Sequence, residues 1–352
     1  MKAIDLSEYV PAASIRDTPG HDFRRRIARF QTPVLHESLA QTLTSIGGFL
    51  AVCAAMYATA GISYWIALAL APLAAGFLVR TFIIQHDCGH GAFFRSRRMN
   101  DTLGFACSLL TLAPYRSWRR QHAGHHGVWN NLDRRNTGAD IYSSCLTVDE
   151  YRSLSPWRRR WYRLSRNPII ANVIVPPLVF LVLYRLPFDM PAGWRRERLA
   201  VYLTDLALVA LIGGVGLVFG FGRVAEVQLP IMVLASIGGV WLFTVQHRSE
   251  HIVWARQNEW NAMTASLQGS TYLRLSPMLQ WFTGNIGLHH VHHLNSKIPN
   301  YRLQQCHDAV AELRDVPVMT LRSAFKAMFY VLWDERQHRM VTFRTAGLGE
   351  PA

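Results

Sequence analysis

Histidine is concentrated in three short windows of this 352-residue chain: His86-Asp87-Cys88-Gly89-His90, His122-Ala123-Gly124-His125-His126 and His289-His290-Val291-His292-His293. Nine of the 15 histidines fall there, each window beside strongly apolar sequence, so neither a solvated surface nor separately satisfied core residues account for them. On a helix, residues three and four apart share a face. His86 with His90, His122 with His125 and His126, and His289 with His292 and His293 would each project together. His290 is turned by about 100° from His289 and ranks below its neighbours as a ligand. Imidazole accepts zinc, copper, iron and nickel alike, but eight or nine of them exceed the three or four protein ligands of a zinc ion. One dispersed site for two metal ions is expected. Haem needs only one or two axial ligands, and soluble di-iron bundles use paired Glu-x-x-His spacings. The chain has one such spacing near its C-terminus, Glu335 to His338, without a second.

The segments that must position these residues are apolar. Hydrophobic residues make up 50% of the chain and charged ones 17%, which argues for one membrane-embedded unit. Gln41 to Ile84 is nearly charge-free apart from Arg80 and is long enough for two spans across a ~30 Å bilayer core. The spans are expected at about 42–60, 63–85, 199–221 and 229–246, the last two parted by Gly222-Arg223-Val224-Ala225-Glu226. Asn100 to Pro114 is too short to cross. Ile169 to Leu186 carries Pro176-Pro177 at its centre, where lipid offers no substitute for lost backbone donors. The fold class expected is an all-α polytopic membrane protein, with four transmembrane helices in two hairpins and a cytoplasmic helical cap carrying the histidine windows. Residues 1–37 would form an N-terminal segment, 38–306 the membrane domain and 307–352 a C-terminal segment, both terminal segments cytoplasmic. The first window follows the second span and the third follows the fourth. They share a side only if Ile169 to Leu186 does not cross, so that segment is expected to be interfacial or re-entrant. His247, at the end of the fourth span, would emerge at the same level, with His251 one turn further on.

The formal charge of +14 has a membrane interpretation. Arg95, Arg97, Arg98, Arg116, Arg119, Arg120 and the run Arg158-Arg159-Arg160 lie between the second and third spans, whereas the hairpin turns carry almost no net charge. The positive-inside bias puts the termini and the middle region in the cytoplasm, where some arginines would meet anionic headgroups. No aromatic-basic repeat or helix-turn-helix pattern supports nucleic-acid binding. Five cysteines, Cys53, Cys88, Cys107, Cys145 and Cys306, show no paired spacing, so neither a disulfide framework nor a thiolate site follows. Met1 to Glu37 lacks the apolar core of a secretory signal. Asp87, Asp140, Glu250 and Asn285 are candidates for orienting imidazoles.

The three windows resemble the HxxxH, HxxHH, HxxHH signature of the integral-membrane fatty acid desaturases and their hydroxylase relatives. Phe243-Thr244-Val245-Gln246-His247, Glu259-Trp260-Asn261, Trp281 to Leu294 and Ile298-Pro299-Asn300-Tyr301 look like the omega-6 (Δ12) acyl-lipid branch in its bacterial form. Thr137 to Tyr142 and Thr147 to Tyr151 resemble the loop after that branch's second box; the likeness spans roughly Gln41 to Cys306. It implies a cytoplasm-facing di-iron centre in the bacterial inner membrane, ligated by His86, His90, His122, His125, His126, His289, His292, His293 and His247. It also implies use of O2 and two electrons to desaturate a fatty acyl lipid. An unactivated C–H gives acid–base chemistry nothing to work on, so a metal–oxygen oxidant is required. Arg248-Ser249-Glu250-His251 departs from the threonine-histidine continuation of plant-type members, which leaves the double-bond position open. No fused carrier domain is visible, so a separate electron donor, ferredoxin-like or similar, is expected on the basic face. Hydroxylation or ketolation of another lipid uses the same three boxes. A polytopic metal transporter would instead place histidines within its spans.

Overall fold

The computed structural model describes residues 21–135 and 144–348. Four helices, Leu35–Ala60, Tyr64–His90, Arg195–Phe219 and Phe221–Val245, are long and apolar enough to cross a membrane, in agreement with the expected four spans. They form two hairpins. The first closes at Gly61-Ile62-Ser63, and the second closes at Gly220 alone, whose φ of 85° lies where side chains are strained. The expected connector Gly222 to Glu226 is therefore corrected: it forms the first turns of the fourth span. Its charges are accommodated there because Arg223 and Glu226, three residues apart, pair at 3.2 Å. Both hairpin turns lie at one end of the bundle, where the Tyr57 and Phe219 rings are 4.6 Å apart. The histidine windows occupy the other end.

The proline-bearing segment is helical rather than irregular. Pro156–Ser165 and Ile170–Arg185 meet at a 53° bend. Pro176 and Pro177 sit where the π-helical turn Ile170–Ile174 passes into the α-helical stretch Val175–Leu181, a local irregularity at which a helix accommodates missing N–H groups. Both ends of this bent element lie at the histidine end of the bundle. Before the bend, the Tyr162 hydroxyl donates to the Val331 carbonyl at 2.7 Å and accepts from the Leu146 amide at 3.0 Å. After it, the Arg198 guanidinium donates to the Pro187 carbonyl at 2.8 Å, and the Gln121 amide to Asp189 at 2.8 Å. The element dips beside the spans and returns.

A cap of short helices covers the histidine end. Ile83, Leu242, Val245, Leu288 and Val291 form its core with Phe23 and Ile27 of the helix His21–Ala28. The N-terminal segment is thus packed from residue 21 onward. The C-terminal segment is packed as well: Leu332–Asp334 pairs in parallel with Leu146–Thr147 and antiparallel with Arg339–Val341, while Val318–Met319 pairs with Tyr272–Leu273. Strands of two or three residues do not alter the all-α class.

Candidate metal centre

Helical spacing aims each histidine. On the second span Leu78, Phe82, His86 and His90 follow one another four residues apart, so one face carries apolar groups and then imidazoles. Gly91, with φ 65°, ends that helix as its amide donates to the Asp87 and Cys88 carbonyls. His122, His125 and His126 ride on the helix Tyr115–Val128. His289, His292 and His293 ride on His289–Leu294, delivered by a turn in which Gly284 and Asn285 adopt positive φ. His247 follows the C-cap residue Gln246 of the fourth span.

The side chains converge in two sets. His86, His90, His122, His126 and His292 each offer a ring nitrogen within 4.8 Å of every other, and His125, His247 and His293 do the same. His289 joins the second set, its Nε2 lying 2.9 Å from that of His247 and 3.2 Å from that of His293. The sets abut through His126 and His293, whose rings stack with centroids 4.3 Å apart, and through His289 and His292, with ring centroids 5.5 Å apart. All nine sequence-predicted histidines are thus brought together.

Whether this set suits metal ions turns on its protons. The Gly269 carbonyl can only accept, so its 3.2 Å contact to His247 fixes the proton on Nδ1 and leaves the Nε2 lone pair facing the centre. Asp87 does the same for His86, accepting from Nδ1 at 3.1 Å while its other oxygen accepts from the Asn300 amide at 2.6 Å and side chain at 2.8 Å. The His90 Nε2 is buried without a hydrogen-bond partner among the described residues. Burial foremost, and neighbouring imidazoles next, hold His122, His126, His292 and His293 well below the usual histidine range. Neutral rings with converging lone pairs are the state that ligates a cation. The residues fit two metal ions.

Other sequence candidates fall elsewhere. His290 is buried outside both sets, with Nε2 3.2 Å from His307 Nδ1, in keeping with its lower ranking. His251 belongs to neither set. Glu250 pairs with Arg339 at 2.6 Å instead of orienting an imidazole, and Asn285 donates to the Asn300 carbonyl at 3.1 Å. Asp140 and the stretch Thr137 to Tyr142 lie outside the described residues. Glu335 is bound to Arg256 at 2.8 Å, and neither it nor His338 belongs to either set. Two residues of the site escaped sequence reasoning. Trp129 lies 3.8 Å, ring to ring, from His247 and donates Nε1 to the same Gly269 carbonyl at 2.7 Å. Asn300, fixed by Gln41 at 2.9 Å, locks Asp87; its only signal was membership of the Ile298 to Tyr301 motif.

An apolar cavity leads away from this centre between the second span, the fourth span and the bent helix. His86, His122, His125 and His289 close one end; Leu78 and Phe82, Met232 and Val240, and Val179 and Phe180 line the remainder. Gln121 and Asp189 provide a polar margin beside His122.

Four apolar helices, nine converging imidazoles and an apolar cavity define a membrane protein with a polyhistidine metal-binding centre. The model of the family "Fatty acid desaturase" matches residues 62–323. A fatty acid desaturase of Bacillus subtilis (strain 168) is 42% identical over 320 residues, 91% of this chain and 90% of the relative. The sn-1 acyl-lipid omega-3 desaturase (ferredoxin) of Synechocystis sp. is 28% identical over 65% of this chain and 63% of its own length. The sn-1 oleoyl-lipid 12-desaturase of Picosynechococcus sp. is 26% identical over 66% of this chain and 65% of its own. The chain belongs to the fatty acid desaturase family, within reach of its omega-6/Δ12 branch, and is an oxidoreductase.

Proposed function

We propose that this protein is an O2-dependent acyl-lipid desaturase whose nine histidines hold two iron ions. The observation that carries the reading is the meeting of two imidazole sets with one end of an apolar cavity. His86, His90, His122, His126 and His292 would hold one ion, and His125, His247, His289 and His293 the other. When bound, the pair supplies the oxidising power needed to remove hydrogen from two adjacent methylenes, using O2 and two electrons. The chain's own residues do the rest. The cavity walls bind the acyl chain by burial at ~0.8 kcal/mol per CH2, and hold one methylene pair beside the histidines. Asp87 and the Gly269 carbonyl keep His86 and His247 in the ligating tautomer, and the Trp129 ring covers His247 against water.

The electrons come from a separate donor of the ferredoxin-like class, named for the Synechocystis relative, docking on the arginine-rich face. By the positive-inside bias that face, with the centre, is cytoplasmic in a bacterial inner membrane. The substrate is a monounsaturated chain on a membrane lipid, desaturated at Δ12 of an oleoyl group as the Picosynechococcus relative's name describes for that protein. A bent monoene and a straight saturated chain differ in shape, so one cavity separates them more sharply than chains differing by a methylene. Expression in an oleate-making host is expected to yield linoleate, with iron recovered in the purified protein. New monoenes with oleate untouched would move the assignment to first-double-bond desaturation, oxygen retained in the lipid to a hydroxylase, and reproducible zinc without iron would remove the redox reading.

A further inference from the structure

On the fourth span the cavity is lined at Met232, Ala235, Ser236, Gly239 and Phe243, a run at helical spacing. Its middle lacks bulk, between Met232 on the far side and Phe243 beside the histidines. Glycine weakens a helix interior relative to alanine, so its place there calls for a reason. At Gly76 and Gly216 that reason is close packing, since a Cβ would come within 2.9 Å of Phe282 and 2.4 Å of Phe221; Gly213, Gly214 and Gly238 have open space there but do not line the cavity. A Cβ on Gly239 would meet nothing within 4 Å, and no positive φ requires glycine there. The space it leaves is cavity. Gly239 stands eight residues before His247, and Leu78 eight residues before His86. At ~1.5 Å per residue both lie about 12 Å from the histidine level, facing the cavity from opposite walls.

We propose that Gly239 is the specificity-determining position of the acyl cavity: its missing side chain admits the methyl end of the chain beyond the histidine centre, so residue size at 239 sets the length accepted. The wall from Leu78 to Met232 is apolar and suits the methyl end, while Gln121 and Asp189, hydrogen-bonded to each other at 2.8 Å, supply a polar part of the lining. The inference rests on the desaturase reading and assigns its chain-length discrimination to one residue. Gly238 is the built-in comparison, because its Cβ would also meet nothing within 4 Å yet it is exposed and does not line the cavity.

The test is a graded series, Gly239→Ala, Gly239→Val and Gly239→Leu, beside Gly238→Leu. Each is expressed in a host whose membrane lipids carry both palmitoleoyl and oleoyl chains, which differ only on the methyl side. Rising size at 239 is expected to depress the diene from oleoyl relative to that from palmitoleoyl, by about tenfold or more at leucine. Metal content and inserted protein should stay at the unmodified level, and Gly238→Leu should leave the ratio unchanged. Equal loss from both chains at every size, an unmoved ratio, or the same shift from Gly238→Leu would overturn the assignment. An unmodified chain that forms a diene from neither lipid would instead overturn the Δ12 reading beneath it.

Discussion

The two inner spans and the two outer spans pass the same test of length and hydropathy, yet they are different objects. In the second and fourth spans 44% of the most apolar window is buried inside the protein; in the first and third the share is 22%. Ala67, Ala71 and Ala74 of the second span are sealed, allowing close approach of its neighbours, whereas Leu206, Val209, Leu217 and Val218 of the third are 67–83% exposed. Hydrocarbon is as apolar as leucine, so hydrophobicity does not drive one span inward; small residues and polar partners do. Of the four spans only the inner pair lines the cavity; the second ends in His90, and His247 follows two residues after the fourth. In a bilayer, the face buried in protein marks where the chemistry is.

The largest effect expected from breaking this asymmetry is at the inner ends. His292→Ala or His125→Ala should abolish desaturated product and lower the bound metal while leaving inserted protein detectable, because one imidazole opens a coordination position but carries little packing. Full activity in either variant would dissolve the two-set arrangement, and His290→Ala, outside both sets, should be milder. Next comes the inner packing. Ile231→Ala, at a fully buried side chain, should cost ~2–5 kcal/mol as lost packing around a new cavity, read as a lower Tm in detergent. Asp87→Ala should weaken metal retention or activity by about 10–100-fold, measured by metal analysis after dialysis; an unchanged metal content would make Asp87 a structural residue only.

A smaller effect is pH-dependent. The cap histidines are held below the unfolded value of about 6.5, so below that pH the unfolded chain binds more protons than the folded one. The metal-free protein should therefore lose thermal stability as pH falls from about 6.5 towards the depressed folded values, and a flat Tm over that range would contradict buried neutral rings. Smallest of all, Val209→Ala on the outer face should shift stability within about 0.5 kcal/mol. A shift as large as that of Ile231→Ala would erase the distinction between inner and outer spans.

Much of this arrangement was legible because two periodicities coincide. The apolar spacing that makes the second span a helix also carries its row from Leu78 to His90, so spans and ligand faces were readable together. The Pro176-Pro177 pair marked a segment apart from the four long spans, and it lies in a bent helical element where it starts a helical turn instead of breaking one. Other parts left no local trace. Gly222 to Glu226 read as a loop because a charged pair satisfied along a helix looks, in one dimension, like a polar connector. Trp129 and Asn300 act on His247 and Asp87 from 118 and 213 positions away, and no local pattern encodes contacts of that range. The strands at 146–147 and 332–334 are too short to show alternation.

The pairing of Leu146 with Leu332 and Thr147 with Trp333 sets an order of events during synthesis. Trp333 is buried in one cluster with Trp129 and Trp254, and Trp129 is the residue laid against His247. By the time the ribosome has passed residue 293, every imidazole of the centre has been made, but the wall behind one of them has not. The nascent chain is inserted and complete in donors, yet open on one side until residues 332–341 fold back across it. A message cut short between residues 293 and 332 would therefore yield a protein with all nine histidines of the centre and all its spans but without the wall that keeps water from His247.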